Sequence, residues 1–317
     1  MYNPFPYSLD NKRYKTWNWF LQDKFGCKVS KIALNGGFTC PNIDGTRGRG
    51  GCTYCLSGSG EFAGNPKESV EKQFKTIAEK MEKKWKDTKY IPYFQANTNT
   101  YAPLSKLKEL YEAALSLENT VGLAIATRPD SITDEVYEYL GEINKRTYLL
   151  VELGLQTIYD ETGDRINRCH SYEEFEICYM RLKEMGINVC VHLILGLPGE
   201  DKEIMLGSVK KVASLKPDCI KLHLLHILKG TKIAEEYERG EFRCLELKEY
   251  VDIIVDALEL LPPETTVQRL TGDGAKDSLI APLWSLKKFV VLNEIDKEMV
   301  RRNTYQGKNY CQTGKKS

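Results

Sequence analysis

The sequence contains no apolar run that approaches the length of a transmembrane helix. Its longest uncharged apolar stretches, Val189–Leu197 and Leu222–Leu228, are short and include histidines, whereas a bilayer span needs about 20 apolar residues. The first residues, MYNPFPYSLDNKRYK, have no apolar segment behind a basic start and do not resemble a signal peptide. We therefore expect a protein that has no membrane partner and resides in the cytoplasm.

Internal repeats, low-complexity tracts and an extreme composition are also lacking. Hydrophobic residues make up 42% and charged residues 28% of the 317 residues. These are ordinary globular values, which argue against a disordered or fibrous chain. Disulfides are rare in a reducing cytoplasm, so the ten cysteines point to metal binding or catalysis rather than to cross-links.

The net charge of +1 is unevenly distributed along the chain. Residues 1–30 carry a net charge of +3 and residues 297–317 carry +5, which leaves −7 on the intervening residues. Basic ends on an acidic body favour a polyanionic partner. Terminal charge that is simply solvated is the alternative explanation.

Short β-branched segments alternate with amphipathic helical patterns over most of the chain. Such alternation predicts a parallel sheet with right-handed crossovers. The predicted strands are Lys31–Leu34, Tyr90–Ala96, Val121–Thr127, Tyr148–Leu155, Asn188–Gly196 and Cys219–His226, and the predicted helices are Lys67–Lys86, Leu104–Leu117, Thr133–Arg146, Tyr172–Met185 and Lys202–Leu215. Six units are too few for a complete eightfold barrel, so the prediction is an open, partial (β/α)6 TIM-like barrel.

The two ends of the chain depart from this alternation. We predict a core barrel over residues 31–230, an N-terminal extension over 1–30 and a C-terminal extension over 231–317 packed on the barrel. The latter should contain a helix Leu245–Leu261 that stops at Pro262 and Pro263, a short strand Thr266–Leu270 and a last helix Leu283–Arg302.

A cysteine cluster follows the first predicted strand. Cys40, Cys52 and Cys55 have the spacing C-x11-C-x2-C, and the intervening loop is rich in glycine, which lets a backbone fold tightly around a compact object. The carboxyl end of a barrel strand is where such folds place their chemistry. Three thiolates hold three irons of a 4Fe–4S cluster and leave one iron open for another ligand.

Two other interpretations of these cysteines are weaker. A structural zinc normally takes four ligands, so His170 or a distant cysteine would have to complete the site. A redox dithiol at Cys52 and Cys55 normally opens a helix, which the glycine-rich run after Cys55 disfavours. The remaining cysteines are scattered, mostly in apolar contexts, and are predicted to be small buried residues.

A cysteine triad after the first strand of a six-unit barrel resembles the radical S-adenosylmethionine (radical SAM) superfamily. The superfamily's usual spacing is C-x3-C-x2-C, and the longer first interval here resembles the catalytic subunit of Elongator, which modifies tRNA wobble uridine. The chain as a whole is most similar to the bacterial YtqA/YhcC-like radical SAM family. The motifs that carry these resemblances are Thr127-Arg128-Pro129-Asp130, Glu152-x-Gly154-x-Gln156, Asn167-Arg168-x-His170, His192, Leu197-Pro198, Gly230-Thr231, Gln268-Arg269 and Ala281-Pro282-Leu283-Trp284.

The resemblance implies cofactors and residue roles. A 4Fe–4S cluster on Cys40, Cys52 and Cys55, reduced by a one-electron donor such as flavodoxin or ferredoxin, would cleave S-adenosyl-L-methionine (SAM) to a 5′-deoxyadenosyl radical. The family's Gly-Gly-Glu motif for the methionine amino group is absent, and polar side chains near the second strand are expected to replace it. The expected SAM-binding residues are Gln95, Asn97, Asn99, Glu152, Gln156 and Arg168.

Several of these residues also fit structural roles. Glu152 would serve as an interior carboxylate if it paired with Arg128, because a buried acid needs a partner. Arg168 would serve equally well as a helix cap or a counter-ion. His192, alone on an apolar strand, fits a core histidine as well as a catalytic one.

The substrate is less strongly indicated. Aromatic residues interleave with Lys12, Arg13 and Lys15 near the start, which suits stacking on unpaired bases beside phosphates. One face formed by Trp17, Phe20, Leu21 and Lys24 equally predicts a docking helix. The basic C-terminal end and Lys83, Lys84, Lys86 and Lys89 would extend such a phosphate track. The resemblance implies tRNA, with conversion of 5-carboxymethylaminomethyl-uridine to 5-aminomethyl-uridine as the type of reaction. A radical SAM enzyme for a small metabolite or peptide, and a non-enzymatic Fe–S or zinc module that binds RNA, are the alternatives.

Overall fold

The computed structural model describes residues 5, 11–56, 63–272, 274 and 276–311. The chain forms two compact units, one made of Met1–Phe20, Gln156–Ile166 and Val191–Ser317, the other of Leu21–Leu155 and Asn167–Cys190. We call them unit 1 and unit 2. Within the described ranges, no helix combines the length and the apolar character that a bilayer span requires.

Seven strands form the main sheet, in the order β1-β2-β3-β4-β5-β6-β8. The pairs β1–β2, β2–β3, β3–β4 and β6–β8 are parallel, while β7 and β9 form a separate antiparallel pair. This arrangement confirms the predicted fold class, a partial TIM-like barrel. The strands are β1 Val29–Leu34, β2 Lys89–Phe94, β3 Gly122–Thr127, β4 Tyr148–Gln156, β5 Asn188–Leu195, β6 Cys219–Leu224, β7 Ile227–Leu228, β8 Thr266–Arg269 and β9 Leu279–Ala281.

The sheet has one strand more than the predicted six. Strand β8 was predicted as part of the C-terminal extension, but it pairs with β6 as a seventh member of the sheet. Its first residues, Thr266 and Val267, are buried, and the Thr266 amide donates to the Asp218 carbonyl at 2.9 Å. A strand that buries its side chains in this way satisfies its backbone best by joining the existing sheet.

The helices follow the predicted order with shifted ends. The last helix begins at Lys288 rather than at Leu283, because Leu283–Leu286 forms a 3-10 turn and Lys287 has a non-helical backbone (φ −93°, ψ 58°). The helices are α1 Trp17–Phe25, α2 Val70–Glu82, α3 Leu104–Leu115, α4 Asp134–Arg146, α5 Asp160–Arg165, α6 Tyr172–Glu184, α7 Lys202–Ser214, α8 Lys232–Glu238, α9 Leu247–Leu260 and α10 Lys288–Arg301.

The strands of unit 2 have two different faces. On β1, Ile32 and Leu34 are fully buried, whereas Lys31 and Ala33 keep some exposure. On β3 and β4, Ala126 and Gly154 are likewise partly exposed near the carboxyl ends. Because successive side chains on a strand point to opposite faces, one face of this sheet packs in the core and the other remains partly exposed.

In unit 1, most of the described basic residues near the chain ends bind within the unit. Lys12 forms a salt bridge with Asp296, and Arg13 donates to the Thr304 carbonyl at 3.2 Å. Arg302 is held by three carboxylates, which are those of Asp252, Asp256 and Glu298. These contacts favour a structural role for the terminal basic residues over the phosphate contacts that the charge distribution suggested.

Part of the aromatic segment near the start forms a helix, which agrees with the alternative prediction of a docking helix. Helix α1 contains Trp17 and Phe20, whose rings stack at 5.4 Å between centroids, and its Leu21 is buried. Tyr2 and Tyr7, which belong to the aromatic residues near the start, fall in residues 1–4 and 6–10 and lie outside the described residues.

Candidate active site

The loop from Cys40 to Cys55 is folded back on itself by its own backbone. The Ile43 amide donates to the Cys40 carbonyl at 2.8 Å, and the Gly51 amide donates to the Asn42 carbonyl at 2.9 Å. Gly51 has a φ of 73°, a conformation that glycine adopts without strain. These contacts return the chain after residue 48 to the neighbourhood of Cys40.

Gly48 leaves no room for a side chain in this loop. A Cβ there would lie 2.3 Å from Asn42 Oδ1 and 2.6 Å from Cys169 Sγ. Asn42 is fully buried, and its Nδ2 lies 3.6 Å from Cys52 Sγ and 2.5 Å from the Asn167 carbonyl. The glycine thus permits the close approach that ties the Cys52 sulfur to the segment around Asn167.

The three predicted cysteines share one electrostatic environment. Burial and then the neighbouring Cys55 raise the pKa of the Cys52 thiol to about 11. The Arg128 guanidinium interacts with the sulfurs of both Cys40 and Cys52. The Cys55 amide donates to the Cys52 carbonyl at 3.0 Å, so the three cysteines lie in one folded loop, and their role as cluster ligands stays a prediction. A thiol with such a pKa is protonated at neutral pH and would release its proton on binding a metal.

The structure disfavours His170 as a fourth ligand for zinc. Its Nε2 lies 3.1 Å from the Gly154 carbonyl oxygen and its Nδ1 lies 3.2 Å from that of Ser171, so both ring nitrogens face the backbone. Burial first, and then the charges of Arg168 and Arg128, lower the pKa of His170 to about 3. Of the seven remaining cysteines, three are buried as predicted, which are Cys178, Cys190 and Cys219. The other four were wrongly predicted to be buried, because Cys27, Cys169 and Cys244 are partly exposed and Cys311 is exposed.

Arg128 is held beside the cysteines by a buried carboxylate. Its Nε and Nη2 donate to the two carboxylate oxygens of Asp130 at 2.9 and 2.7 Å, and its Nη1 donates to the Arg168 carbonyl at 2.7 Å. Burial alone would raise the pKa of Asp130, but the hydrogen bonds and charge of Arg128 hold it below its usual value. Arg47 adds a second cation 3.1 Å from Asp130. The suggested pairing of Arg128 with Glu152 is therefore wrong, because Asp130 occupies the guanidinium.

The segment expected to replace the family's Gly-Gly-Glu motif lies against the residues before Cys40. Asn97 has a φ of 62°, and its Nδ2 donates to the Phe38 carbonyl at 2.8 Å. The Thr98 amide donates to the Thr39 carbonyl at 3.1 Å, and the Gln95 amide donates to the Leu34 carbonyl at 3.2 Å. Gln95 and Asn97 remain partly exposed.

Hydrogen bonds hold Asn99 in this segment, but one of its side-chain polar atoms has no hydrogen-bond partner within the described ranges. Its Nδ2 donates to the Ala126 carbonyl at 2.7 Å, its amide donates to the same carbonyl at 3.2 Å, and its carbonyl accepts from the Tyr111 hydroxyl. The side chain is fully buried. Among the residues that the structure describes, nothing hydrogen-bonds to its Oδ1. A buried acceptor without a donor is costly.

Glu152 is the most deeply buried acid of the site. It forms a salt bridge with Lys31 and accepts a hydrogen bond from the Tyr93 hydroxyl at 2.6 Å. Both partners were missed by the sequence reasoning. A lysine in the middle of an otherwise apolar strand is the signal that could have identified Lys31, because a cation at such a position needs an acid nearby.

The last two predicted SAM residues lie at the end of β4 and just after α5. Gln156 ends β4 with a φ of 67° and keeps some exposure. Arg168 is 1% exposed. Its Nε donates to the His170 carbonyl and its Nη1 to the Leu155 carbonyl, both at 2.8 Å. The contacts of Arg168 serve the backbone, and its role toward a ligand stays a prediction.

Comparison with known proteins identifies the family. The model of the radical SAM superfamily matches residues 43–212, and that of the Radical_SAM C-terminal domain matches residues 217–301. The chain is 50% identical over 307 residues to uncharacterized protein YtqA of Bacillus subtilis, covering 96% of this chain and 95% of that one. It is 37% identical over 278 residues to protein YhcC of Escherichia coli, covering 87% and 89%.

More distant similarities link the chain to larger proteins. It is 33% identical over 159 residues to the tRNA uridine(34) acetyltransferase of Methanocaldococcus jannaschii, which covers 48% of this chain and 28% of that protein. The solved structure of archaeal Methanocaldococcus infernus Elp3 shares the fold with a TM-score of 0.67 at 20% identity, over 88% of this chain and 64% of that one. With the superfamily model matching more than half of its length, this chain belongs to the radical SAM superfamily.

Proposed function

We propose that this radical SAM enzyme holds a 4Fe–4S cluster on Cys40, Cys52 and Cys55 and modifies the wobble uridine of tRNA. The reaction proposed is of the type that converts 5-carboxymethylaminomethyl-uridine to 5-aminomethyl-uridine. The cofactor assignment is supported by the occurrence of three cysteines in one glycine-rich loop that backbone hydrogen bonds fold back on itself, with Asn42 Nδ2 3.6 Å from Cys52 Sγ. Three thiolates leave one iron of such a cluster without a protein ligand.

The donor set fits the cluster better than it fits zinc. The described histidine nearest in sequence, His170, directs both ring nitrogens at carbonyl oxygens. Arg128 supplies positive charge next to the sulfurs, and Asn42 Nδ2 supplies a donor to Cys52. Positive charge and hydrogen bonds at the sulfurs favour the more negative, reduced form of a cluster. When bound, the cluster and SAM together supply a 5′-deoxyadenosyl radical that removes a hydrogen atom from the substrate.

Asn99 is proposed to bind SAM through its side-chain oxygen. An ammonium group is a donor without acceptor capacity, and it would satisfy the buried Asn99 Oδ1. Gln95 and Asn97, partly exposed in the same segment, are positioned to complete the replacement of the Gly-Gly-Glu motif. The rigid hold on Asn99 by Ala126 and Tyr111 keeps its Oδ1 oriented before the ligand arrives, which lowers the entropy cost of binding.

Glu152 and Lys31 form a largely buried pair of opposite charges on the sheet. Glu152 is proposed to meet the ribose or the methionine moiety of SAM, together with Gln156. Lys31 neutralises Glu152 in the absence of a ligand, so that the buried carboxylate keeps a partner at every stage.

Support for tRNA comes from similarity and from the chemistry of loops. The M. jannaschii relative is a tRNA uridine(34) acetyltransferase, and its match covers 48% of this chain. A base in an RNA loop is already partly unstacked, so presenting it to a site at the strand ends costs less than extraction from a duplex.

Two measurements test the proposal. Anaerobically reconstituted protein with a one-electron donor is expected to release 5′-deoxyadenosine from SAM, whereas a Cys40→Ala variant should release none. In cells that lack the protein, mass analysis of tRNA nucleosides should show accumulation of the carboxymethylaminomethyl form of the wobble uridine. An unchanged nucleoside profile together with absent tRNA binding would reject tRNA and favour a small metabolite or peptide substrate.

The Asn99 assignment has its own test. Asn99→Ala should weaken SAM binding by roughly one to two powers of ten, because a hydrogen bond to a charged group is worth about 1.5–3 kcal/mol. Iron and sulfide content should stay at the level of the unaltered protein. Asn144→Ala, at the opposite ends of the strands, is the matched control and should bind SAM normally. Unchanged SAM affinity in Asn99→Ala would remove Asn99 from the binding site.

A further inference from the structure

A second surface of unit 2 lies at the amino ends of its strands. Residues 83–86 connect α2 to β2, Lys89 opens β2, and Lys28 immediately precedes β1. The Lys89 amide donates to the Lys28 carbonyl at 2.9 Å, which brings these two segments together. We call the six residues Lys28, Lys83, Lys84, Trp85, Lys86 and Lys89 the amino-end patch.

The lysines of residues 83–89 are exposed cations without carboxylate partners. Lys83, Lys84, Lys86 and Lys89 are all exposed, and within the described part of the chain none of them forms a salt bridge or a side-chain hydrogen bond. Asp87 is the one acid among residues 83–89, which leaves this segment a net charge of +3. In contrast, Lys12 and Arg302 are bound to carboxylates. A free cation keeps its charge available to an anionic partner.

An exposed indole stands among these cations. Trp85 is 45% exposed, and the Lys28 ammonium lies 5.3 Å from the centroid of its ring. A half-exposed tryptophan among lysines therefore presents an aromatic ring next to positive charge. Aromatic faces stack on unpaired bases of any identity while adjacent cations contact the phosphates.

The basic and aromatic character continues along the same edge of the sheet. An open cavity of about 650 Å³ lies at the amino ends of β4 and β5, and its lining includes Lys24, Phe25, Asn144, Arg146 and Tyr148. The Lys24 ammonium lies 5.1 Å from the Tyr148 ring centroid. Arg146 is bound to Glu112 at 2.8 Å, so Lys24 is the cation of this cavity that has no salt bridge among the residues described.

We propose that the amino-end patch binds RNA, with its lysines on the phosphates and Trp85 stacked on an unpaired base. The proposal rests on the proposed function, because it names a surface for the RNA substrate that the active site would act on. The strand ends involved are opposite to those that carry the cysteines, so this surface would hold the body of the substrate at a distance from the reacting base. Phosphate contacts fix the position of a nucleic acid without reading its sequence.

Salt-dependent binding tests the lysines. The reconstituted full chain is titrated with unfractionated tRNA at several salt concentrations, as the unaltered protein and with Lys83, Lys84, Lys86 and Lys89 changed to Gln. Each phosphate contact contributes about 0.7–0.9 to the slope of log affinity against log salt, so the slope should fall by roughly 3. A control variant with four exposed lysines of unit 1 changed to Gln should keep the full slope; these are Lys210, Lys216, Lys232 and Lys248.

A separate variant tests the tryptophan. Trp85→Ala should weaken tRNA binding about 5- to 150-fold, as expected from about 1–3 kcal/mol for stacking of one base, and should leave the salt slope unchanged. Trp85→Phe retains an aromatic face and should recover most of the affinity. Both variants should cleave SAM without RNA as the unaltered protein does, since Trp85 lies outside the active site.

The outcomes separate the two proposals. If the unaltered protein binds no tRNA, the proposed function fails and the patch with it. If it binds tRNA but the four-lysine variant keeps the full salt slope, or the control variant loses the slope equally, only the patch is refuted. Binding of anionic lipid vesicles at affinities that tRNA does not reach would also overturn the assignment to RNA.

Discussion

The two ends of the strands in unit 2 carry charge in opposite ways. At the carboxyl ends, Asp130 is buried and paired with Arg128, and in the middle of the strands Glu152 is buried and paired with Lys31. At the amino ends, Lys83 and its neighbours stand in solvent. One sheet thus presents a pre-ordered polar site at one end and a diffuse field of positive charge at the other.

The difference follows from what each kind of charge can do. A buried and hydrogen-bonded charge acts strongly over a short distance, because the local dielectric is low and no solvent has to reorganise. An exposed lysine acts weakly on any one atom and is screened beyond about 10 Å at 0.1 M salt, but several together attract a polyanion. The first arrangement suits a reaction centre and the second suits a substrate that is large and charged.

Replacing the cysteines at the carboxyl ends should have the largest effect of the changes considered. Cys40→Ala, Cys52→Ala or Cys55→Ala is expected to remove nearly all bound iron, sulfide and visible iron–sulfur absorbance, because three thiolates are the minimum for a site-differentiated cluster. Cys178→Ala and Cys219→Ala, buried elsewhere, are the controls and should keep the cluster. Equal losses from the control variants would contradict the ligand assignment.

The sequence predicts those features of the site that depend on the spacing of residues along the chain and on the alternation of side chains along a strand. The interval between Cys52 and Cys55 and the glycines before them predicted a metal loop, and the alternation around Lys31–Leu34 predicted β1 within two residues at its start. The pairings of polar groups could not be predicted. Glu152 and Lys31 are 121 residues apart, and no local pattern tells which distant cation a buried acid will meet.

Arg128 and Asp130 show the same limit at short range. They are separated by one proline in the chain, yet the sequence reasoning offered Glu152 as the partner of Arg128. The residue before a proline is held in an extended conformation, and Arg128 has φ −97° and ψ 146°. Its guanidinium meets Asp130 because the 3-10 turn Pro129–Ser131 directs that carboxylate back toward it, a geometry that only the folded backbone determines.

Removing the charge of Asp130 should lower the free energy of unfolding of the protein substantially. Asp130→Asn leaves the buried Arg128 without its bidentate partner, and breaking a buried ion pair costs about 3–5 kcal/mol. Glu174→Gln, which removes the exposed partner of Arg47, should cost about 0–1 kcal/mol. Urea unfolding of the two variants provides the measurement. A loss below about 1 kcal/mol in Asp130→Asn would show that the network is not tightly coupled.

His170 should make the carboxyl end sensitive to pH. Its pKa is about 3 in the folded protein against 6.5 as the usual value, so between these limits the unfolded chain binds a proton that the folded one does not. The contribution of His170 to the free energy of unfolding is therefore fully present above about pH 6.5. Below that pH the free energy of unfolding falls by about 1.4 kcal/mol per pH unit. The lowered pKa of Asp130 and those of Glu249 and Glu298, about 2 against a usual 4.5, have their effect only below about pH 5, so the window from about pH 6 to 5 isolates the histidine.

The measurement compares the unaltered protein with His170→Gln, in which the amide can still donate to the Gly154 carbonyl. The free energy of unfolding of the unaltered protein should fall relative to that of the variant between about pH 6 and 5. Parallel curves for the two proteins would mean that His170 takes up a proton in the folded state as easily as in the unfolded one.

The smallest effect on stability is expected at the amino ends. Changing Lys83, Lys84, Lys86 and Lys89 to Gln should alter the free energy of unfolding by no more than about 0.5 kcal/mol per site, because these exposed side chains have no partner to lose among the described residues. Reduced repulsion within the net charge of +3 would even favour the folded state slightly. A loss above about 2 kcal/mol in urea unfolding would show that these lysines support the fold. In that case the amino ends would resemble the carboxyl ends in using charge for structure, and the contrast between them would disappear.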